Sequence, residues 1–147
     1  MKKKIVFFDL DDTLVVEEPS AEESIIATSK IAQEKYGIDP IKFHKSVRKQ
    51  ARKLWYSLPT HQYCKDIGIS SWEGLWAKFI GENENLKKLN ELADFYQTTS
   101  WYNALLEYNV DDKDLANKLS KKFHTERRKR HILFPESIAI LNKLTED

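Results

Sequence analysis

The sequence has few of the residues that interrupt or cross-link a chain. Of its 147 residues, one is cysteine, four are glycine and four are proline. The single thiol, Cys64, excludes an internal disulfide and is typical of a reducing compartment. The scarcity of glycine and proline argues against flexible linkers and turn-rich all-β folds. The formal net charge is only +1, so we expect no general attraction to nucleic acid or anionic lipid.

Long apolar runs are also missing. The longest near the start covers residues 5–8 and is ended by Asp9, whereas a membrane-spanning helix needs about 20 apolar residues. The same run is too short for a secretory signal peptide, although three lysines precede it. With 41% hydrophobic and 32% charged residues, the composition predicts a single globular, cytoplasmic protein without a membrane segment.

One strand followed by helices is what the hydrophobic pattern predicts. Residues 4–10 contain the β-branched and aromatic run Ile5-Val6-Phe7-Phe8, which is typical of a strand buried on both faces of a parallel sheet. Apolar residues at helical spacing follow. The helix-end signals are the Ser20/Glu23 capping box, Gly37, Asp39 with Pro40, Pro59, the Ser70/Glu73 capping box, Gly81, Asp112 and Pro135. A strand buried alone cannot satisfy its backbone groups, and its best candidate partner, residues 131–134, is short.

Two carboxylates lie directly after the predicted strand. Asp9 and Asp11 are two positions apart, and Thr13 follows two positions later. Carboxylates at the end of a parallel strand can share one Mg²⁺ with phosphate and water. One carboxylate can attack phosphorus while the other moves protons. An EF-hand calcium loop starting at Asp9 is excluded, because its sixth position is Leu14 rather than glycine.

This arrangement of a strand, Asp9-x-Asp11-x-Thr13 and a helical insertion resembles the haloacid dehalogenase superfamily, whose members are mostly Mg²⁺-dependent phosphatases. The resemblance implies that Asp9 is the nucleophile, Asp11 the general acid/base and Thr13 a support of the loop, with Asp9 and Asp11 holding Mg²⁺. Many members have glycine where this chain has Asp12. The implied fold class is α/β with a Rossmann-like core, here reduced to one core strand plus an α-helical cap, and therefore mostly helical.

The resemblance also divides the chain. It assigns residues 1–16 to the first core strand and catalytic loop, 17–130 to the helical cap and 131–147 to the return to the core. Three further family features are expected after the second core strand: a phosphate-binding Thr or Ser, a Lys and an acidic pair. The sequence ends at Asp147, before their expected positions. We therefore expect a phosphatase of a small phosphorylated metabolite, acting through an aspartyl-phosphate, that is inactive as these residues alone.

A non-catalytic alternative remains open. The chain can be a helical module that associates with itself or with a complementary C-terminal half. The strand from Ile5 to Leu10 would then pair with its partner. Other features have simpler interpretations. The basic residues 127–131 are expected to be a solvated helix end, the four tryptophans to pack the helices, and His61 with Cys64 to lack the partners of a zinc site.

Overall fold

The computed structural model describes residues 5–146, without the side chain of Glu146. It is predominantly helical. In chain order the elements are β1 (Val15–Val16), α1 (Glu17–Tyr36), α2 (Pro40–Ser57), α3 (His61–Ile67), α4 (Ser71–Gly74), α5 (Glu84–Leu106), α6 (Lys113–Lys129), β2 (Ile132–Leu133) and α7 (Ser137–Glu146). No helix in this part of the chain has the length and apolarity to cross a membrane.

Four long helices, α1, α2, α5 and α6, pack around one hydrophobic core. Its largest side chains include Phe43 and Trp55 from α2, Trp101 from α5 and Phe123 from α6, none more than 2% exposed. Their aromatic rings pack in tilted pairs, with centroids 6.1 Å apart for Phe43 and Trp101 and 5.8 Å for Trp101 and Phe123. Trp55 and Trp101 therefore pack the helices together, as the sequence predicts.

Small hydroxyl residues line the buried side of α1. Ser24, Thr28 and Ser29 are fully buried, and each hydroxyl donates to the carbonyl four residues earlier, at 2.7 to 2.8 Å. These bonds satisfy polar groups that would otherwise be buried without partners. The side of α1 that faces the core therefore carries small hydroxyl residues as well as apolar ones.

Most of the predicted helix ends are confirmed. Asp39 accepts from the Lys42 backbone N–H at 2.8 Å with Pro40 in the first turn, and Asp112 caps α6 through the Leu115 N–H at 2.9 Å. Gly37 ends α1 in the left-handed conformation. The structure also contains the Ser70/Glu73 capping box, and α2 ends at Ser57, just before Pro59.

Two predicted helix limits are wrong. The first helix begins at Glu17, so Ser20 lies inside it, where its hydroxyl donates to the Val16 carbonyl and accepts from the Ile132 N–H. The helix after Ser70 stops at Gly74 rather than Gly81. The side-chain amide of Gln97 donates to the carbonyls of Gly74 and Ala77, at 3.0 and 3.2 Å, so these groups are satisfied without further helix.

The predicted buried strand before Asp9 is also wrong for this structure. Its first residue, Lys4, lies outside the described residues. Residues 5–10 have no regular secondary structure, and Ile5 and Phe7 are 76% and 89% exposed. The physical reason is that the sheet described among residues 5–146 consists of two strands of two residues each, too short to pair along a six-residue segment. The sheet that does form is the short antiparallel pair of β1 and β2, in which Val15 faces Leu133 and Val16 faces Ile132.

Candidate active site

The loop from Asp9 to Val15 holds the candidate residues. The Leu10 carbonyl accepts from the backbone N–H groups of Leu14 and Val15, at 2.9 and 3.0 Å, and the Asp12 N–H donates to the Val15 carbonyl at 2.7 Å. The loop is therefore closed by its own backbone. It leads directly into β1, which fixes its position next to the start of α1.

Asp12 has a structural role that the sequence analysis missed. Its φ of +55° lies in the left-handed region, which glycine adopts freely and aspartate tolerates better than most residues. Its carboxylate accepts from the Glu17 backbone N–H at 3.1 Å, at the first residue of α1. Aspartate at this position therefore allows the turn and also satisfies one free N–H of the helix. The sequence feature that could have indicated this role is the aspartate at position 12, where many members of the resembled family have glycine.

The three residues proposed for the chemistry lie on the exposed side of this loop. The Thr13 hydroxyl donates to an Asp9 carboxylate oxygen at 3.2 Å, which limits the orientations of that carboxylate. Asp9, Asp11 and Thr13 are all accessible to solvent. A substrate can therefore reach both carboxylates in this structure.

Asp11 lies in a negative environment. Its pKa is raised, first by partial burial and then by the charges of Glu17, Glu73 and Asp9, whereas Arg127 lowers it. A raised pKa suits a carboxyl group that must donate a proton. The same negative charge also favours a cation between the carboxylates.

The donor set fits Mg²⁺ only in part. Two carboxylates are the usual protein contribution to a Mg²⁺ site that is completed by phosphate and water. Within residues 5–146, however, no three metal-ligating side chains of His, Cys, Asp or Glu converge on one point. Asp9 and Asp11 would hold the ion, and the remaining ligands would come from outside these side chains.

A buried ion pair lies behind the loop. The Arg127 guanidinium donates to the Glu17 carboxylate, and their side chains are 1% and 9% exposed. Arg127 also donates to the Arg130 carbonyl at 3.3 Å and lies over the Trp76 ring, 5.1 Å from its centroid. The pair joins the first residue of α1 to the end of α6, and so it connects the two ends of the helical body beside the β1–β2 pair.

The solvated interpretation of the basic run is therefore wrong for Arg127, although Arg128 and Lys129 are exposed. No sequence signal separates Arg127 from its neighbours except its position on the α6 face shared with Leu119 and Phe123. The environment of Cys64 is apolar. This residue is fully buried, and burial raises the pKa of its thiol.

Comparison with known proteins adds one relative. The chain is 30% identical, over 138 residues, to a phosphoserine phosphatase of Thermus thermophilus. The relative is a phosphatase. The alignment covers 94% of this chain and 51% of the relative, so the chain spans about half the length of the curated relative that it matches. No family model and no solved structure matches the chain.

Proposed function

We propose that these residues form the nucleophile loop and helical cap of a haloacid-dehalogenase-like phosphatase. The observation that carries the proposal is the loop itself. It presents the accessible side chains of Asp9 and Asp11, and the Thr13 hydroxyl donates to the Asp9 carboxylate at 3.2 Å. The similarity to a phosphatase over 94% of the chain supports it. Because the chain covers only half of that relative, the catalytic activity is proposed for the chain together with a polypeptide that completes the core.

In this proposal the Asp9 carboxylate attacks the phosphorus of a small phosphorylated metabolite, and the bond from phosphorus to the leaving oxygen breaks. Asp11 gives its proton to that oxygen and then takes one from the water that hydrolyses the aspartyl-phosphate. Bound Mg²⁺ would neutralise phosphate charge during both steps. The raised pKa of Asp11 is consistent with the proton-donating role. Phosphoserine, named for the relative, is one substrate of this class.

We expect the 147 residues alone to turn over substrate poorly. The family resemblance also implies a phosphate-binding Thr or Ser, a Lys and an acidic pair, and none of these lies in the loop described above. Removing even one charge-stabilising donor costs about 10²–10³ in rate. The test is Mg²⁺-dependent hydrolysis of an aryl phosphate and of phosphoserine. Asp9→Asn removes the nucleophile. Asp12→Asn is its matched control, since asparagine tolerates the same backbone conformation and keeps an accepting oxygen.

The expected result is near-background hydrolysis that does not differ between the native chain and Asp9→Asn. Hydrolysis that Asp9→Asn abolishes and Asp12→Asn retains would contradict the inactivity of the isolated residues. It would show that the remaining groups come from this chain or from a second copy.

The second candidate function is association without catalysis. The exposed apolar segment at residues 5–10 favours it, as do Ile138, Ile140, Leu141 and Leu144 of α7, which are 37% to 53% exposed. An exposed apolar segment and an apolar helix face can both be covered by another chain. The partner would be a second copy or a complementary C-terminal half.

Sedimentation velocity over a range of concentrations tests this association. We expect self-association in the native chain that Phe7→Lys weakens. The control is Ile80→Lys, because Ile80 is 82% exposed but lies far along the sequence from residues 5–10. A monomer at all concentrations would exclude the homodimer, and equal effects of both substitutions would exclude pairing through residues 5–10.

A further inference from the structure

One face of α2 forms a strongly basic groove. The groove has a volume of about 520 Å³ and is lined by His44, Lys45, Arg48, Lys49, Arg52, Lys53 and Tyr56. No acidic side chain among the described residues lines it. The groove is open to solvent, and all of its lining residues belong to α2.

Three of the five lysines and arginines are free to bind a ligand. Arg48 pairs with Glu18 at 2.8 Å, and Lys49 pairs with Glu107 at 2.6 Å. Lys45, Arg52 and Lys53 have no ion-pair partner within residues 5–146. An α-helix rises about 1.5 Å per residue, so Lys45 and Lys53 lie about 12 Å apart along the helix axis.

Like charges repeat along this face. Lys45, Lys49 and Lys53 follow each other at intervals of four residues, and so do Arg48 and Arg52. Such pairs repel one another and destabilise an isolated helix. A bound anion would offset this repulsion, so the local charge pattern itself favours a negatively charged ligand.

His44 lies on the same face of α2 but beneath the cations. It is 4% exposed, and the nearest carboxylate oxygen, on Glu22, is 3.8 Å from Nδ1. Burial lowers the pKa of its imidazole, which favours the neutral ring. The positive charge of the groove therefore comes from its lysines and arginines.

We propose that this groove binds a small linear anion with two or more linked phosphate groups. The planar guanidinium of Arg52 and the adjacent ammonium groups match phosphate oxygens. A row of cations about 12 Å long suits several linked charges better than one isolated phosphate. The proposal is independent of the phosphatase assignment, because neither Asp9 nor Asp11 lines the groove.

Isothermal titration calorimetry of the full chain with tripolyphosphate, at low ionic strength and without divalent cations, tests the proposal. We expect one saturable site per chain. The double variant Arg52→Gln/Lys53→Gln should weaken binding by roughly tenfold or more. Its matched control is Lys118→Gln/Lys121→Gln, which removes the same charge from exposed positions of α6 and should leave the affinity nearly unchanged.

Three results would overturn the proposal. Absence of saturable binding would exclude the site, and equal weakening by both double variants would show attraction to net charge alone. Binding of citrate as tight as that of tripolyphosphate would show that the groove does not recognise linked phosphates.

Discussion

The buried pair of Arg127 and Glu17 allows the most quantitative prediction. Replacing Arg127 with methionine keeps most of the side-chain volume but leaves the Glu17 carboxylate buried and unpaired, at 9% side-chain exposure. Removing one partner of a buried pair typically costs about 3–5 kcal/mol of unfolding free energy. A chain of this size has a total stability of about 5–15 kcal/mol, so this loss is a large fraction of it. The expected fall in Tm is roughly 6–20 °C, at about 2–4 °C per kcal/mol.

A double-mutant cycle separates the pair from the volume change. The assay is urea unfolding followed by tryptophan fluorescence, for Arg127→Met, Glu17→Gln and the two together. The double variant should recover much of the lost stability, because no buried charge then remains unpaired. Arg128→Met is the control, since Arg128 is exposed and should change stability by less than about 0.5 kcal/mol. A loss below about 1 kcal/mol for Arg127→Met, or strictly additive effects in the double variant, would refute this reasoning.

Three further predictions concern packing and charge. Gly74→Ala should destabilise the fold by about 1–3 kcal/mol in urea unfolding despite the better helix former, because the added Cβ would lie 2.5 Å from the Trp55 ring; unchanged stability would mean that the ring moves aside. The pKa of Asp112 is held down to about 2 by hydrogen bonds from Lys35, the Leu115 N–H and Tyr36. This carboxylate therefore stabilises the fold at pH values above its ordinary pKa of 3.8. That contribution disappears as the pH falls towards about 2. Asp112→Asn should therefore flatten the acid limb of urea midpoints measured against pH, and an unchanged limb would contradict the assignment. Asp9→Asn should lower the pKa of Asp11 in a carboxyl-carbon NMR titration, because the Asp9 charge is one of the causes that raise it; an unchanged or higher pKa would show that the two groups do not interact.

The helices could be predicted because their end signals are local. Asp39, Asp112 and Gly37 act through their own or nearby backbone groups, so the sequence is enough to place them. The start of α1 could not be placed in this way, since it depends on Asp12, which caps from outside the helix after an unusual turn. The early stop at Gly74 depends on Gln97, which is distant in sequence.

The strand before Asp9 was mispredicted for a different reason. Its composition indicates a buried strand, but a strand exists only where another strand pairs with it. Among the described residues β1 and β2 are only two residues long each, too short to pair along residues 5–10. Asp9, Asp11 and Thr13 could be chosen as candidates from the sequence because they lie within five consecutive positions, and their roles stay predictions. The ion pair of Glu17 with Arg127 was not, because it joins residues 110 positions apart.

The most direct test of the central claim is covalent labelling of Asp9. The chain is incubated with Mg²⁺ and acetyl phosphate, an activated donor that needs little help for its leaving group. Any acyl-phosphate is then reduced with borohydride and located by peptide mass spectrometry. The account predicts Mg²⁺-dependent modification at Asp9 that is absent in Asp9→Asn and retained in Asp12→Asn. Modification at Asp11 or another carboxylate instead, or equal modification of the native chain and Asp9→Asn, would contradict the assignment of Asp9 as the nucleophile.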